Sequence, residues 1–96
     1  MQDNEFEWDD AKADSNLQKH GVSFETARLV FEDVFSVEEP DTSLDYGEER
    51  LFLIGMAKGE LLTVVYTERD GRIRIISARK AIKREQHGYY QNQTSE

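Results

Sequence analysis

Three strand-forming runs divided by two glycine turns constrain this chain more than any other feature. Leu51 to Met56, Leu61 to Thr67 and Arg72 to Ser77 are apolar or β-branched, and Lys58-Gly59 and Asp70-Gly71 separate them. Asp-Gly suits the two-residue type I′ turn, whose central residues both need positive φ. Three antiparallel strands in a meander are predicted, and everything else must pack on that sheet.

Side chains alternate along a strand, so pairing decides which residues share a face. With a two-residue turn at Asp70-Gly71, Arg69 is expected opposite Arg72, Thr67 opposite Arg74 and Val65 opposite Ile76. Leu62, Val64, Tyr66, Ile73 and Ile75 then form a core face, while Val65, Thr67, Arg69, Arg72, Arg74 and Ile76 point the other way. A two-residue turn at Lys58-Gly59 adds Leu51 and Leu53 to the core face and sets Arg50 opposite Thr67. The row Arg50, Thr67, Arg74 should cross three strands, with Arg69 and Arg72 one step nearer the Asp70-Gly71 turn. Like charges on neighbouring strands cost roughly 0.2–1 kcal/mol per pair, so this gathering of arginines points to an anion among them. Guanidinium forks grip phosphate oxygens with two bonds, which makes phosphate a good fit. The alternative is that Asp41, Asp45, Glu48 or Glu49 of the following loop folds over and pairs with the arginines.

The first half reads as helices and edges. Phe6 and Trp8 alternate with Glu5, Glu7 and Asp9, the period of a short edge strand over 5–8. Asp9 or Asp10 can cap a helix that ends at His20, before Gly21. Ser23 caps a second helix over about 24–33, with Val22 and Ala27 as a hydrophobic staple. Val34 to Glu38 reads as a strand and Pro40 to Glu48 as an acidic, turn-rich loop. A C-terminal helix is expected from Arg79 or Lys80 to about Tyr90. The 96 residues are read as a single α+β domain, with 1–4 and 91–96 frayed.

Charge divides the chain. Residues 1–48 carry three bases and fourteen acids, net −11, whereas 49–96 carry nine bases and six acids, net +3. Within 69–84 seven bases face one acid, Asp70. That asymmetry suggests an anionic partner, although the acidic half could instead neutralise the basic half internally. The chain has no cysteine, which removes disulfides, zinc-thiolate sites and thiol nucleophiles. Two distant histidines and scattered carboxylates make no recognisable metal-ligand set, and no cofactor motif is present. No apolar run suits a membrane span, and an acidic N-terminus is unlike a secretory or mitochondrial signal, so a cytoplasmic protein is expected. Direct duplex-DNA binding is disfavoured, because no helix combines basic residues with a docking motif.

The strings FEWD at 6–9, the spaced Lys12 and Asn16, KHGVSF at 19–24, DYGEER at 45–50, LTVVYTER at 62–69, RIRIISARKA at 72–81 and KRE at 83–85 resemble the BrnT toxins. Their order and spacing span about residues 6–90. The resemblance implies a ribonuclease toxin of a bacterial or archaeal type II toxin–antitoxin pair, with a RelE-like fold: a small antiparallel sheet, two N-terminal helices and one C-terminal helix. It also implies a BrnA-type antitoxin partner with a ribbon-helix-helix domain, so that DNA is contacted only through the antitoxin.

A RelE-like nuclease cleaves RNA without metal, by attack of the ribose 2′-OH on the adjacent phosphate. Such a reaction needs a base, charge stabilisation at phosphorus and an acid for the leaving oxygen. Arg50, Arg72, Arg74 and Arg79 are the candidate catalytic residues, Arg74 foremost for its place in the row. Arg69, Lys80 and Arg84 are candidates for holding RNA. Tyr89 and Tyr90 could stack on a base or pack the last helix onto the sheet. His20 has a suitable pKa for acid–base work, but a histidine before a C′ glycine also suits the helix end. The rival function is a binding module without catalysis, whose basic face docks an acidic partner segment.

Overall fold

A computed structural model describes residues 1–42, 45 and 47–93. Ser43, Leu44 and Tyr46 of the acidic loop, and 94–96 of the expected frayed tail, lie outside the described residues. The elements run β1 (Phe6–Glu7), α1 (Asp10–His20), α2 (Phe24–Ala27) continued by a 3₁₀ turn (Arg28–Glu32), β2 (Val37–Pro40), β3 (Leu51–Ala57), β4 (Glu60–Arg69), β5 (Arg72–Lys80) and α3 (Lys83–Gln93). They build one five-stranded sheet in the order β1-β5-β4-β3-β2.

The meander forms with both expected turns. Lys58 and Gly59 take φ of 50° and 78°, Asp70 and Gly71 of 53° and 77°. Leu51 pairs with Tyr66, Thr67 with Arg74 and Arg69 with Arg72, as the turn lengths require. The expected pairing of Val65 with Ile76 is corrected, because the β4–β5 register shifts between Val65 and Tyr66 and Val65 lies opposite Ser77. The shift has a physical reason. Strict alternation after Ile75 would turn Ser77 and Arg79 into the core. One extra residue, Ile76, reverses the phase, so that small Ala78 lies opposite buried Val64 and Arg79 lies opposite Thr63 on the other face.

A second correction concerns strand direction. β1 pairs parallel with β5, Phe6 beside Ile73 and Glu7 beside Arg74, so the sheet is mixed and not wholly antiparallel. No hairpin joins β1 to β5, so no turn imposes an antiparallel pairing. β1 is also only two residues long, and α1 continues its work on the same edge. The buried Asn16 amide donates to the Ala78 carbonyl at 2.8 Å and accepts from the Ala78 N–H at 3.2 Å. Its Nδ2 also donates to the Val22 carbonyl at 2.9 Å. A side-chain amide thus supplies two ladder bonds where the edge strand has ended.

One face of the sheet carries the main core. Leu53, Leu62, Val64, Tyr66, Ile75 and Ala78 meet Trp8, Phe24, Ala27 and Val30 there. Edge-to-face rings tie the layers together, Phe6 to Phe31 at 5.3 Å, Phe31 to Tyr66 at 5.0 Å and Trp8 to Phe24 at 5.7 Å. The caps of α1 are as read: Asp9 accepts from the Lys12 N–H, and Gly21 closes the helix in the left-handed region. Ser23 likewise caps α2. The second helix is corrected, however, to four residues of α-helix and five of 3₁₀. This tightened segment brings Val30 against Gly55 of β3, where an added Cβ would lie 2.9 Å from Val30 Cγ1. Glycine permits that approach.

The chain then turns before its next strand, which begins at Val37 and not Val34. Asp33 Oδ1 accepts from the Phe35 N–H at 2.9 Å and the Ser36 N–H reaches the Asp33 carbonyl at 3.0 Å, so 33–36 forms a turn. Asp33 Oδ2 accepts from the Met56 N–H at 2.8 Å and from the Tyr89 hydroxyl at 2.6 Å, joining β3 to α3. Burial pushes the Asp33 carboxyl up, but its donors outweigh burial and hold it below the usual aspartate range.

The C-terminal helix starts later than expected. Ladder bonding continues through Lys80 opposite Leu62, with the Ala81 N–H reaching the Leu61 carbonyl at 2.9 Å. Arg79 and Lys80 therefore belong to β5. Glu85 reaches back to the Ile82 N–H at 2.9 Å, as the carboxylate of a capping box does, and so sets the start at Lys83. α3 covers one end of the second face, where Ile54, Ala81 and Tyr89 form a smaller core. The other end of that face keeps the arginines.

Candidate active site

Arg69, Arg72 and Arg74 share this end because β4 and β5 place them on one face, Arg69 opposite Arg72 and Arg74 opposite buried Thr67. Arg50 stands one residue before the first paired position of β3. The Thr67 hydroxyl donates to the Glu49 carbonyl at 2.6 Å, which ties the chain entering β3 to the row. The predicted assembly of Arg50, Arg69, Arg72 and Arg74 is present.

Its expected lack of counter-charge is not. Arg74 Nη1 donates to Glu7 Oε2 at 2.9 Å, Glu7 coming from β1 on the same face. Arg50 Nε and Arg69 Nη2 approach the two oxygens of Glu48 at 3.3 and 3.4 Å. Arg72 Nε donates to the Asp3 carbonyl at 2.7 Å. Repulsion among the arginines is thus relieved within the chain, partly by the acidic loop that sequence offered as the alternative. The Glu48 pairs are exposed, and such pairs are worth only about 0–1 kcal/mol, so an incoming anion can displace them.

The Arg74–Glu7 pair is different because it is half-buried, with side-chain exposures of 27% and 11%. It is also half-used. Among the described residues Arg74 Nε and Nη2 hold no hydrogen bond and Glu7 Oε1 accepts none, although no fully buried side-chain oxygen or nitrogen lacks a partner. Those atoms are therefore not fully enclosed. Asp9 lies close enough to feel the site: its carboxyl is lowered chiefly by the Lys12 N–H, with a smaller pull from the Arg74 charge.

Arg79 occupies the other, closed end of the face. Nη1 and Nη2 bind both oxygens of Glu85 at 2.8 and 2.9 Å, and Nη1 also meets the Lys80 carbonyl at 3.3 Å. Glu85 Oε1 accepts from Thr63 at 2.8 Å as well. Burial would raise the Glu85 carboxyl, but Arg79, the Ile82 N–H and Thr63 together bring it down to about 2. Hydrogen bonding to Glu85 in turn raises Arg79. A fork held in this way anchors α3 to β5 and lies apart from the Arg74 end.

Other candidate positions are scattered. Lys80 is exposed and pairs with Glu60 at 3.3 Å. Arg84 and His87 are exposed on α3. Tyr89 is buried with its hydroxyl on Asp33, the packing of the last helix that sequence offered beside base stacking, and burial together with that bond pushes it up to about 12. Tyr90, meeting Tyr89 edge-on at 5.2 Å, is half exposed. His20 ends α1, a turn beyond Asn16, which already stands beside Ala78 at the far end of β5, so the fold does not bring it to Arg74. Sequence reasoning passed over Glu7. Its alternation with Phe6 and Trp8 shows that it points away from the core, but only the parallel pairing with β5 reveals Arg74 as its neighbour.

The arrangement offers several guanidinium donors beside a carboxylate acceptor on one face of the sheet, which suits the sugar–phosphate backbone of a nucleic acid. Among the described residues no three His, Asp or Glu side chains gather into a metal-binding group. A search of curated proteins finds no match to the chain. A family model described as the ribonuclease toxin BrnT of a type II toxin–antitoxin system matches residues 8–85, which takes in β3, β4, β5 and Arg50, Arg69, Arg72 and Arg74. The chain belongs to the BrnT family of ribonuclease toxins of type II toxin–antitoxin systems.

Proposed function

We propose that this protein is a metal-independent endoribonuclease toxin that cleaves RNA on the arginine end of its sheet and so arrests translation and growth. The observation that carries the reading is the cluster of Arg50, Arg69, Arg72 and Arg74 at one end of the sheet, where among the described residues Arg74 Nε and Nη2 hold no hydrogen bond. Guanidinium groups stabilise charge on a crowded phosphate and need no metal for that role. Arg69, Arg72 and Arg50 grip neighbouring phosphates, exchanging Glu48 and the Asp3 carbonyl for the ligand. A RelE-like sheet would present such a face to RNA. The neutralising partner is a BrnA-type antitoxin with a ribbon-helix-helix domain, through which alone the pair reaches DNA. Expression of the chain in a bacterial cytoplasm should stop growth, and co-expression of the antitoxin should restore it. Purified chain should cleave RNA with EDTA present. Normal growth with soluble protein in the cell, together with intact RNA in the assay, would refute the reading.

A binding module without catalysis is favoured by one specific observation. Glu48 already spans Arg50 and Arg69, so this face accepts carboxylates from an acidic segment. An acidic stretch of a partner could take its place. Antitoxin binding without any RNA cleavage by the freed chain would select this alternative.

A further inference from the structure

We propose that Glu7 is the general base of the reaction, taking the ribose 2′-OH proton on Oε1 while Arg74 holds the phosphate under attack. The inference rests on the ribonuclease reading above and deepens it. Two arginine–glutamate pairs lie on this face, and they are built differently. In the Arg79–Glu85 pair both carboxylate oxygens and both terminal guanidinium nitrogens are engaged, Glu85 serving Thr63 and the Ile82 N–H as well. That pair is finished as structure. In the Arg74–Glu7 pair one bond at 2.9 Å joins Nη1 to Oε2, and among the described residues Oε1, Nε and Nη2 have no partner. These atoms are not fully enclosed, since among the described residues no fully buried side-chain polar atom lacks a bond.

An acceptor oxygen and two donor nitrogens therefore stand side by side on a rigid sheet. In RNA the 2′-hydroxyl and the nonbridging oxygens of the adjacent phosphate have the same relation, one donor beside acceptors. Base and phosphate holder must lie together for attack by the 2′-oxygen, and a fixed pair removes the cost of assembling them. The step balances as follows. The O2′–H bond breaks toward Glu7 Oε1 as the O2′–P bond forms, and the P–O5′ bond breaks with its electron pair on O5′. The leaving O5′ takes a proton from solvent, giving a 2′,3′-cyclic phosphate and a 5′-hydroxyl, and the Glu7 carboxyl later returns its proton to water. His20 cannot serve here, because it lies a helical turn beyond Asn16, which already stands beside Ala78 at the far end of β5 from Arg74.

Arg74 of β5 is paired with Glu7, the N-terminal segment bridges to Glu7 at Gln2 with the Met1 amino group on the Trp8 carbonyl, and Asp9 follows two residues on. The test uses the whole chain, freed of antitoxin, on an oligoribonucleotide in EDTA. Glu7→Gln should lower kcat by about 10²–10⁴, the contribution of a positioned general base, while RNA binding stays unchanged. Glu7→Asp, which keeps a carboxylate one methylene further back, should retain part of the kcat that Glu7→Gln loses. A purely structural partner of Arg74 would give both variants wild-type kcat per folded molecule. Full activity of folded Glu7→Gln, or of folded Glu7→Ala should the glutamine variant fail to fold, overturns the proposal. RNA cleaved by the wild type without any 2′,3′-cyclic phosphate would also overturn the proposal, whereas RNA left intact would sink the ribonuclease reading itself, a separate outcome.

Discussion

Arg74 and Arg79 stand five residues apart on one strand and carry the same charge, yet their surroundings assign them different work. Arg79 is closed by Glu85, whose side chain is 2% exposed, so truncating the arginine leaves a buried carboxylate without its partner. Arg79→Ala is expected to cost about 3–5 kcal/mol of stability, and any loss of activity should track the loss of folded chain. Denaturant unfolding and RNA cleavage on the same preparations check this; an Arg79→Ala chain that is stable but inactive would move Arg79 into the reaction. Sequence placed both arginines among the catalytic candidates. It could not separate them, because the difference lies in Glu85, which comes from a helix beyond the strand, and in the register shift that turns Arg79 toward that helix. The same holds for Tyr89, whose aromatic ring suits stacking until Asp33 from the other half of the chain is seen to hold its hydroxyl.

Among the elements, the meander was legible and the edges were not. Glycine turns and alternation specify β3, β4 and β5 locally, and the pairs from Leu51–Tyr66 to Arg69–Arg72 follow from them. β1 is held by neighbours remote in sequence, and its two residues carry too little periodicity to reveal a parallel pairing. The amide of Asn16 extends that edge, and nothing in the helical pattern of α1 marks it as buried. Asn16→Ala would leave the Ala78 N–H and carbonyl without their partner, a loss of about 1–3 kcal/mol. Gly55→Ala should destabilise by a similar amount, about 1–3 kcal/mol, because its Cβ would press on Val30, a side chain in the main core. Thermal unfolding of both variants measures these effects. If Gly55→Ala is as stable as the wild type, the close approach of the 3₁₀ turn to β3 is wrong.

The whole molecule divides an acidic half from a basic one, and the fold uses the first to hold the second. Acid should loosen α3, which Asp33 of the first half and Glu85 of the second hold to the sheet. Glu85 titrates at about 2 in the folded chain against an ordinary 4.5, and Asp33 also lies below its ordinary 3.8. Because both folded values are lowered, the unfolded chain takes up these protons first, and the stabilisation present above about pH 5 is lost as pH falls toward 2. For Glu85 this is on the order of 3 kcal/mol, and Glu85→Gln should flatten the fall of the unfolding midpoint between about pH 5 and 3; an unchanged slope would assign the acid sensitivity elsewhere. The cluster of arginines at one end of the sheet is the feature of this molecule that calls for a ligand. That it acts on RNA through Arg74 is the central claim. The most direct measurement compares wild type, Arg74→Ala and Arg74→Lys for cleavage of one oligoribonucleotide in EDTA, with unfolding recorded on the same samples. The account predicts cleavage by the wild type, a fall of about 10²–10³ for the folded alanine variant and partial recovery with lysine, which restores charge without the fork. Wild-type activity in a folded Arg74→Ala chain would contradict it.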